Sequence, residues 1–144
     1  MNFDLVLESL RDALLLPEIE SRPVPIDERF VQIPPERLRE AVAVLVNNLE
    51  LRHLSTITGQ DTGQGIELLY HFWHGNGLTL CTTVPYEKPT VDTLMALIPA
   101  AAFYEAEVTE MLGVTFVGNA DPGPLFLPDD WDGDPPLRKQ NAHG

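Results

Sequence analysis

Thirteen prolines divide this 144-residue chain before any other feature is considered. They gather at 17–35, 85–99 and 122–136. Each fixes φ near about −65° and removes a backbone donor, so regular helix and sheet are confined largely to the stretches between the clusters. The first two clusters predict extended connections. The last predicts a tail that wraps over a core rather than forming part of one.

Between the clusters, hydrophobic period assigns the elements. Phe3, Val6, Leu7, Leu10, Ala13 and Leu14 recur at three- and four-residue steps, which predicts an amphipathic helix over 2–16 that ends at Pro17. Arg29 to Ile33 reads as a strand. Pro35 suits a first helical position, and Leu38, Val42, Leu45 and Leu49 then form one stripe, a second helix. Strands are expected at Leu51–Thr58, Ile66–Trp73 and Leu78–Val84, with a loop at Gly59–Gly65 and a tight turn at Gly75-Asn76-Gly77. Thr90 is expected to cap a short helix through Leu97 or Ile98, and Pro99 to open another running to Leu112. The fold class that follows is α+β, an antiparallel or mixed sheet packed with helices in two layers, with an extended Pro-rich C-terminal strap. Residues 1–118 form the core domain in this reading and 119–144 the strap.

A chain of this length buries roughly two thirds of its unfolded surface. Its net charge of −13 argues against nucleic acid and anionic membrane surfaces as partners, and favours a basic or mixed-charge protein. Four of the acids fall in the Asp-Asp-Trp-Asp-Gly-Asp run at 129–134. A single cysteine, Cys81, cannot form an internal disulfide or a cysteine-rich metal site. No signal peptide or membrane-spanning run is expected, which leaves a cytoplasmic protein that can still sit on a membrane complex.

Few residues suggest chemistry. His71 and His74 fall at a strand end and its turn; on one strand their three-residue step would place them on opposite faces, and no cysteine or carboxylate nearby completes a metal site. The Gly59–Gly65 loop lacks the lysine and following helix of a phosphate cradle. Cys81 reads as a buried structural thiol. On the helix ending at Leu112, Ala101, Tyr104, Val108 and Met111 are expected to face the core, leaving Phe103, Glu107 and Glu110 on a neighbouring stripe beside Glu105. Carboxylates alone, without a serine, histidine or lysine nearby, favour a partner-facing acidic surface over acid–base catalysis. Gly113 fits a helix C-cap and Val114–Val117 a short strand. Beyond it, Leu125, Phe126, Leu127, Trp131 and Leu137 are apolar anchors on a proline-stiffened strap, which loses little entropy on docking. The strap can lie on a partner, on its own core, or on both.

These residues resemble the signature of the thirty-kilodalton (C-type) subunit of respiratory complex I, a family shared with energy-converting membrane-bound hydrogenases. Ala101, Tyr104-Glu105, Glu107, Met111 or Leu112, Gly113-Val114, Phe116 and Gly118 match its first half. Leu127-Pro128-Asp129-Asp130-Trp131 and Pro136-Leu137-Arg138-Lys139 match its second. The chain departs from the pattern at Ala106, where the family has arginine, at Glu110 for aspartate and at Leu112 for phenylalanine. Asn119–Pro124 replaces a His-Pro-Asp-Leu-Arg-Arg stretch.

The resemblance implies a non-catalytic peripheral-arm subunit with no cofactor of its own. It would be peripheral to the inner face of the cell membrane and pack against a hydrogenase-large-subunit-like partner and an iron–sulfur subunit. Iron–sulfur clusters and the quinone or nickel–iron site would lie on those partners. Phe103, Glu105, Glu107, Glu110, Leu127, Asp129, Asp130, Trp131, Leu137, Arg138 and Lys139 would form the interface. The alternative is a stand-alone acidic binding module or assembly factor.

Overall fold

The computed structural model describes residues 1–24, 28–119 and 133–138. Helix α1 spans Phe3–Leu14 and starts where the Asn2 side chain accepts the Leu5 N–H at 3.1 Å, satisfying one of the unpaired amides of a helix start. Its buried residues are Val6, Leu7, Leu10 and Leu14, the apolar stripe read from the sequence. Two strands follow, β1 (Ser21–Val24) and β2 (Glu28–Gln32), paired antiparallel. After a single 3-10 turn at Pro35–Arg37, helix α2 runs Leu38–Asn48 and buries Leu38, Ala41, Val42 and Leu45. Truncating any such fully buried leucine to alanine costs about 2–5 kcal/mol.

Strands β3 (Leu54–Asp61), β4 (Ile66–Trp73) and β5 (Gly77–Val84) form the expected antiparallel meander. Along β4 the burial alternates, with Ile66, Leu68, Tyr70 and Phe72 inside, as period two requires when one face meets the core. β2 lies parallel to β5, so the five-stranded sheet has the order β1-β2-β5-β4-β3 and is mixed. The remaining elements are β6 (Thr90–Asp92), helix α3 (Ala101–Leu112) and β7 (Thr115–Val117), with β6 and β7 pairing parallel as a separate two-stranded sheet. One continuous hydrophobic cluster joins all three helices to both sheets, giving the two-layer α+β architecture.

Three expectations change. β1 is an additional strand: Pro23 argues against one, but β1 is an edge of the sheet, where a missing N–H is tolerated. β3 begins and ends three residues later than expected, so Gly59 to Asp61 are strand and the loop shrinks to 62–65, closed by Thr62 N–H to Gly65 O at 3.0 Å. The helix expected from Thr90 is instead strand β6 followed by a turn. Thr93 rather than Thr90 starts that turn, its hydroxyl accepting Met95 N–H at 3.2 Å, and Leu94 O then accepts Leu97 and Ile98 N–H at 2.9 and 2.8 Å. Ala101 begins the true helix.

Candidate functional site

Helix α3 is the organising element. Its buried residues are Ala101, Glu105, Ala106, Val108 and Leu112, so the core stripe is 101, 105, 108 and 112. Ala101 and Val108 face the core as expected and Tyr104 packs against it half-buried, but Met111 is only half-buried, and Glu105 and Leu112 take the inward positions. Glu105 is 0% exposed, so it lies in the core and not on the acidic outer surface where it was expected.

Three donors make that burial tolerable. Glu105 Oε1 accepts the Thr93 hydroxyl at 2.5 Å and Asn119 Nδ2 at 3.0 Å, while Oε2 accepts the Leu94 N–H at 2.8 Å. Burial raises its pKa, and the Thr93, Leu94 and Asn119 hydrogen bonds oppose the rise. The carboxylate thus ties together the end of β6, α3 and the residue where the strap leaves β7. Asn119 also donates to Ala102 O at 3.4 Å. Thr93 and Asn119 carry no local sequence signal, because their role depends on segments far apart in the chain.

The strap returns to the same helix. Leu137 N–H donates to Met111 O at 2.9 Å, and Arg138 Nε donates to Leu112 O at 2.5 Å. These carbonyls are ones a helix end leaves without internal partners, and a cation there is favoured by the helix dipole. Arg138 also stacks over the Tyr86 ring, 5.6 Å from its centroid, and the Tyr86 hydroxyl donates to Asp61. That hydrogen bond is the main reason the Tyr86 phenol titrates higher than usual. Gly113, at φ 76°, turns the chain at the α3 C-terminus, and a Cβ there would lie 3.0 Å from Pro135 Cγ. Arg138 is therefore engaged with its own chain.

The outer side of α3 offers Phe103, 57% exposed and edge-on to Tyr104, with half-buried Glu107 and Glu110. Leu137 is also 57% exposed, beside the helix C-terminus. Phe103, Leu137, Glu107 and Glu110 are thus carried on or against one helix. Leu127, Asp129, Asp130, Trp131 and Lys139 lie outside the described residues.

Elsewhere the candidate groups are structural in their contacts. His71 Nε2 meets Thr58 Oγ1 at 3.0 Å and Nδ1 meets Thr79 Oγ1 at 2.9 Å, a hydrogen-bonded line across three strands. Burial lowers its pKa, with Glu28 opposing. Cys81 is buried, and burial pushes its thiol up to about 11, with Glu67 adding and Arg22 opposing. A thiol held that high is a poor nucleophile at neutral pH. Among the described residues no group of three or more His, Cys, Asp or Glu side chains could hold a metal ion, and no helix is long and apolar enough to cross a membrane.

Comparison with known proteins adds the family. The chain is 35% identical over 114 residues to the C/D subunit of the NADH-quinone oxidoreductase of Phocaeicola vulgatus, covering 76% of this chain and 22% of that protein. It is 32% identical to the C subunit of the F(420)H(2) dehydrogenase of Methanosarcina mazei, covering 72% of this chain and 69% of that one. The C subunit of the NADH-quinone oxidoreductase of Roseiflexus sp. is also 32% identical, over 93% of this chain and 80% of its own. Two solved structures share the fold. One is the trypsin-resistant fragment of Nqo5, with a TM-score of 0.72 and 24% identity over 84% of this chain and 99% of that one. The other belongs to a membrane-bound sulfane sulfur reductase, an archaeal respiratory membrane complex, with a TM-score of 0.78 and 23% identity over 96% of this chain and 84% of that one. The family model for the 30 kDa subunit of respiratory-chain NADH dehydrogenase matches residues 31–143, and with that match the chain belongs to this family.

Proposed function

We propose that this protein is a non-catalytic structural subunit of the peripheral arm of a complex I-type oxidoreductase, an NADH:quinone oxidoreductase or an energy-converting hydrogenase relative. It packs against a hydrogenase-large-subunit-like partner and an iron–sulfur subunit, on the inner face of the membrane. Electron carriers, quinone and any nickel–iron site belong to those partners.

The observation that carries this reading is the double attachment of the strap to α3. Asn119 is held to Ala102 and Glu105 in the first half of the helix, and Leu137 and Arg138 to Met111 and Leu112 at its end. Both ends of the segment are fixed, so docking its intervening apolar side chains costs less ordering entropy than docking a free tail. Phe103 and Leu137 supply exposed apolar area beside it, and Glu107 and Glu110 supply charge that favours basic partner residues.

The test is purification of the native assembly through an affinity tag on this chain, followed by mass spectrometry and metal analysis. Iron–sulfur and hydrogenase-large-subunit-like proteins should co-elute, and the chain freed from them should hold no stoichiometric metal or flavin. A chain that elutes alone, or that retains its own metal or flavin, refutes the proposal.

A further inference from the structure

The returning strap is tied to a second place besides α3. Arg138 Nε donates to Leu112 O at 2.5 Å, and the same guanidinium lies over the Tyr86 ring, 5.6 Å from its centroid. One planar group thus holds both the end of α3 and the connection that follows β5. From Tyr86 the contact continues inward. Its hydroxyl donates to Asp61 Oδ1, and Asp61 is the buried last residue of β3.

The same oxygen of Asp61 accepts the Gly63 N–H at 2.9 Å and so shapes the loop between β3 and β4. Within that loop Thr62 Oγ1 donates to Gly65 O at 3.1 Å and accepts the Gln64 N–H at 3.3 Å. At Gly65 the loop closes onto β5: a Cβ there would lie 2.9 Å from Val84 O, two residues before Tyr86. Thr62, Gly63 and Gln64 are exposed, so little buried area holds them and their order depends on these hydrogen bonds.

We propose that Arg138, Tyr86, Asp61 and Gly63 form a latch through which the order of the 62–65 loop depends on the strap's return to α3. With Arg138 in place, the half-buried Tyr86 ring is covered and its hydroxyl is held on Asp61, which presents Oδ1 to Gly63. When the guanidinium leaves, the ring loses its cover, the hydroxyl's hold on the carboxylate weakens, and the turn loses its fixed acceptor. Strap and loop therefore change together, docked with ordered and released with loose. A partner that draws the strap off α3 would loosen a surface it need not touch. The device is internal to this chain and does not depend on which assembly the chain joins.

The test is backbone amide NMR relaxation on the full chain. Gly63 N–H should be rigid in the unaltered chain, with an order parameter of about 0.85, and should fall below about 0.6 in Arg138→Ala. Relaxation of this kind reports the folded state, so a lower overall stability of Arg138→Ala does not imitate the effect. Tyr86→Phe keeps the ring beneath Arg138 but removes the hydroxyl, and should loosen Gly63 to the same degree. Adding Arg138→Ala to Tyr86→Phe should lower Gly63 no further. Gly75, in the turn at the other end of β4, should keep its order in every variant. A Gly63 amide that stays rigid in either single variant overturns the latch. A further fall in the double variant also overturns it, because the strap would then reach the loop by another route. Equal loosening of Gly63 and Gly75 overturns it too, since that is general softening rather than a relay.

Discussion

The Glu105 carboxylate accepts the Thr93 hydroxyl at 2.5 Å inside the core, although Thr93 belongs to the segment after β6 and Glu105 to α3. Two further donors, Leu94 N–H and Asn119 Nδ2, complete the arrangement. A buried carboxylate is costly unless hydrogen-bonded, and each donor would be equally costly without it. The contact therefore fixes both the β6 turn and the departure of the strap against one helix.

Replacing the carboxylate exposes this dependence. Glu105→Ala leaves three buried or part-buried donors unmatched and should lower stability by about 3 kcal/mol or more. Glu105→Gln keeps one acceptor but turns an amide donor toward donors, costing about 1–3 kcal/mol. Chemical denaturation measures both. Equal, negligible losses would mean that water replaces the carboxylate readily.

The pH dependence of the same residue has a definite sign. Burial raises the folded pKa of Glu105 above its ordinary 4.5. The unfolded state therefore gives up this proton at lower pH than the folded state. The associated stability is fully present below about pH 4.5 and is lost as pH rises through the folded value. The stability difference between wild type and Glu105→Gln should accordingly shrink as pH rises from 4.5 toward neutrality. A difference that grows with pH would show that the three donors outweigh burial.

How much of this is legible without the structure depends on how local each signal is. β4 and β5 are readable because alternation from Ile66 to Trp73 and the Gly75-Asn76-Gly77 turn are contiguous, and α1 and α2 because their stripes are. β6 is hidden because its three residues pair with β7, which lies beyond the whole of α3. Pro23 masks β1, since sequence does not say which strand will be an edge. The inward placement of Glu105 escapes for a physical reason: a glutamate is expected to face water, whereas the donors that hold it inside come from Thr93, Leu94 and Asn119. The family signature is legible because it combines the α3 residues with Gly113, Phe116 and Gly118, yet it does not reveal that Arg138 turns back onto Leu112.

The approach of α3 to β3 gives a packing test. A Cβ at Gly59 would lie 2.6 Å from Leu112 Cδ1, and Leu112 is fully buried. Gly59→Ala should cost about 1–3 kcal/mol, because overpacking forces the helix or the leucine out of place. Combining it with Leu112→Val should recover part of the loss, with a coupling of about 1 kcal/mol in a double-mutant cycle. Strictly additive losses would mean that the clash is relieved elsewhere.

Arg138 gives a test of the strap's attachment. Arg138→Ala removes the hydrogen bond to Leu112 O and the stacking on Tyr86, and should destabilise the chain by about 1–2 kcal/mol. Lysine should restore less than half, because it lacks the planar guanidinium that satisfies both contacts. The Leu137 amide, bonded to Met111 O, should exchange faster in the alanine variant. Unchanged exchange at Leu137 would show that Pro135 and Pro136 hold the return without Arg138.

Tyr70 offers a test in the opposite direction. Its side chain is fully buried on β4, and its hydroxyl has no hydrogen-bond partner among the described residues. Burial, with the Glu105 charge adding, holds its phenol well above the usual tyrosine range. Removing an unsatisfied buried hydroxyl relieves its desolvation cost and leaves the ring packing intact, so Tyr70→Phe should be neutral or stabilising by about 1 kcal/mol. The stability tied to the raised pKa is intact below the unfolded value of 10.0 and is lost above it as the unfolded phenol ionises. Tyr70→Phe should therefore also shift alkaline unfolding to higher pH, while leaving acid unfolding where it was. A variant less stable by more than about 1 kcal/mol at neutral pH would show that a buried water satisfies the hydroxyl in solution, and that the ring alone does not account for this position.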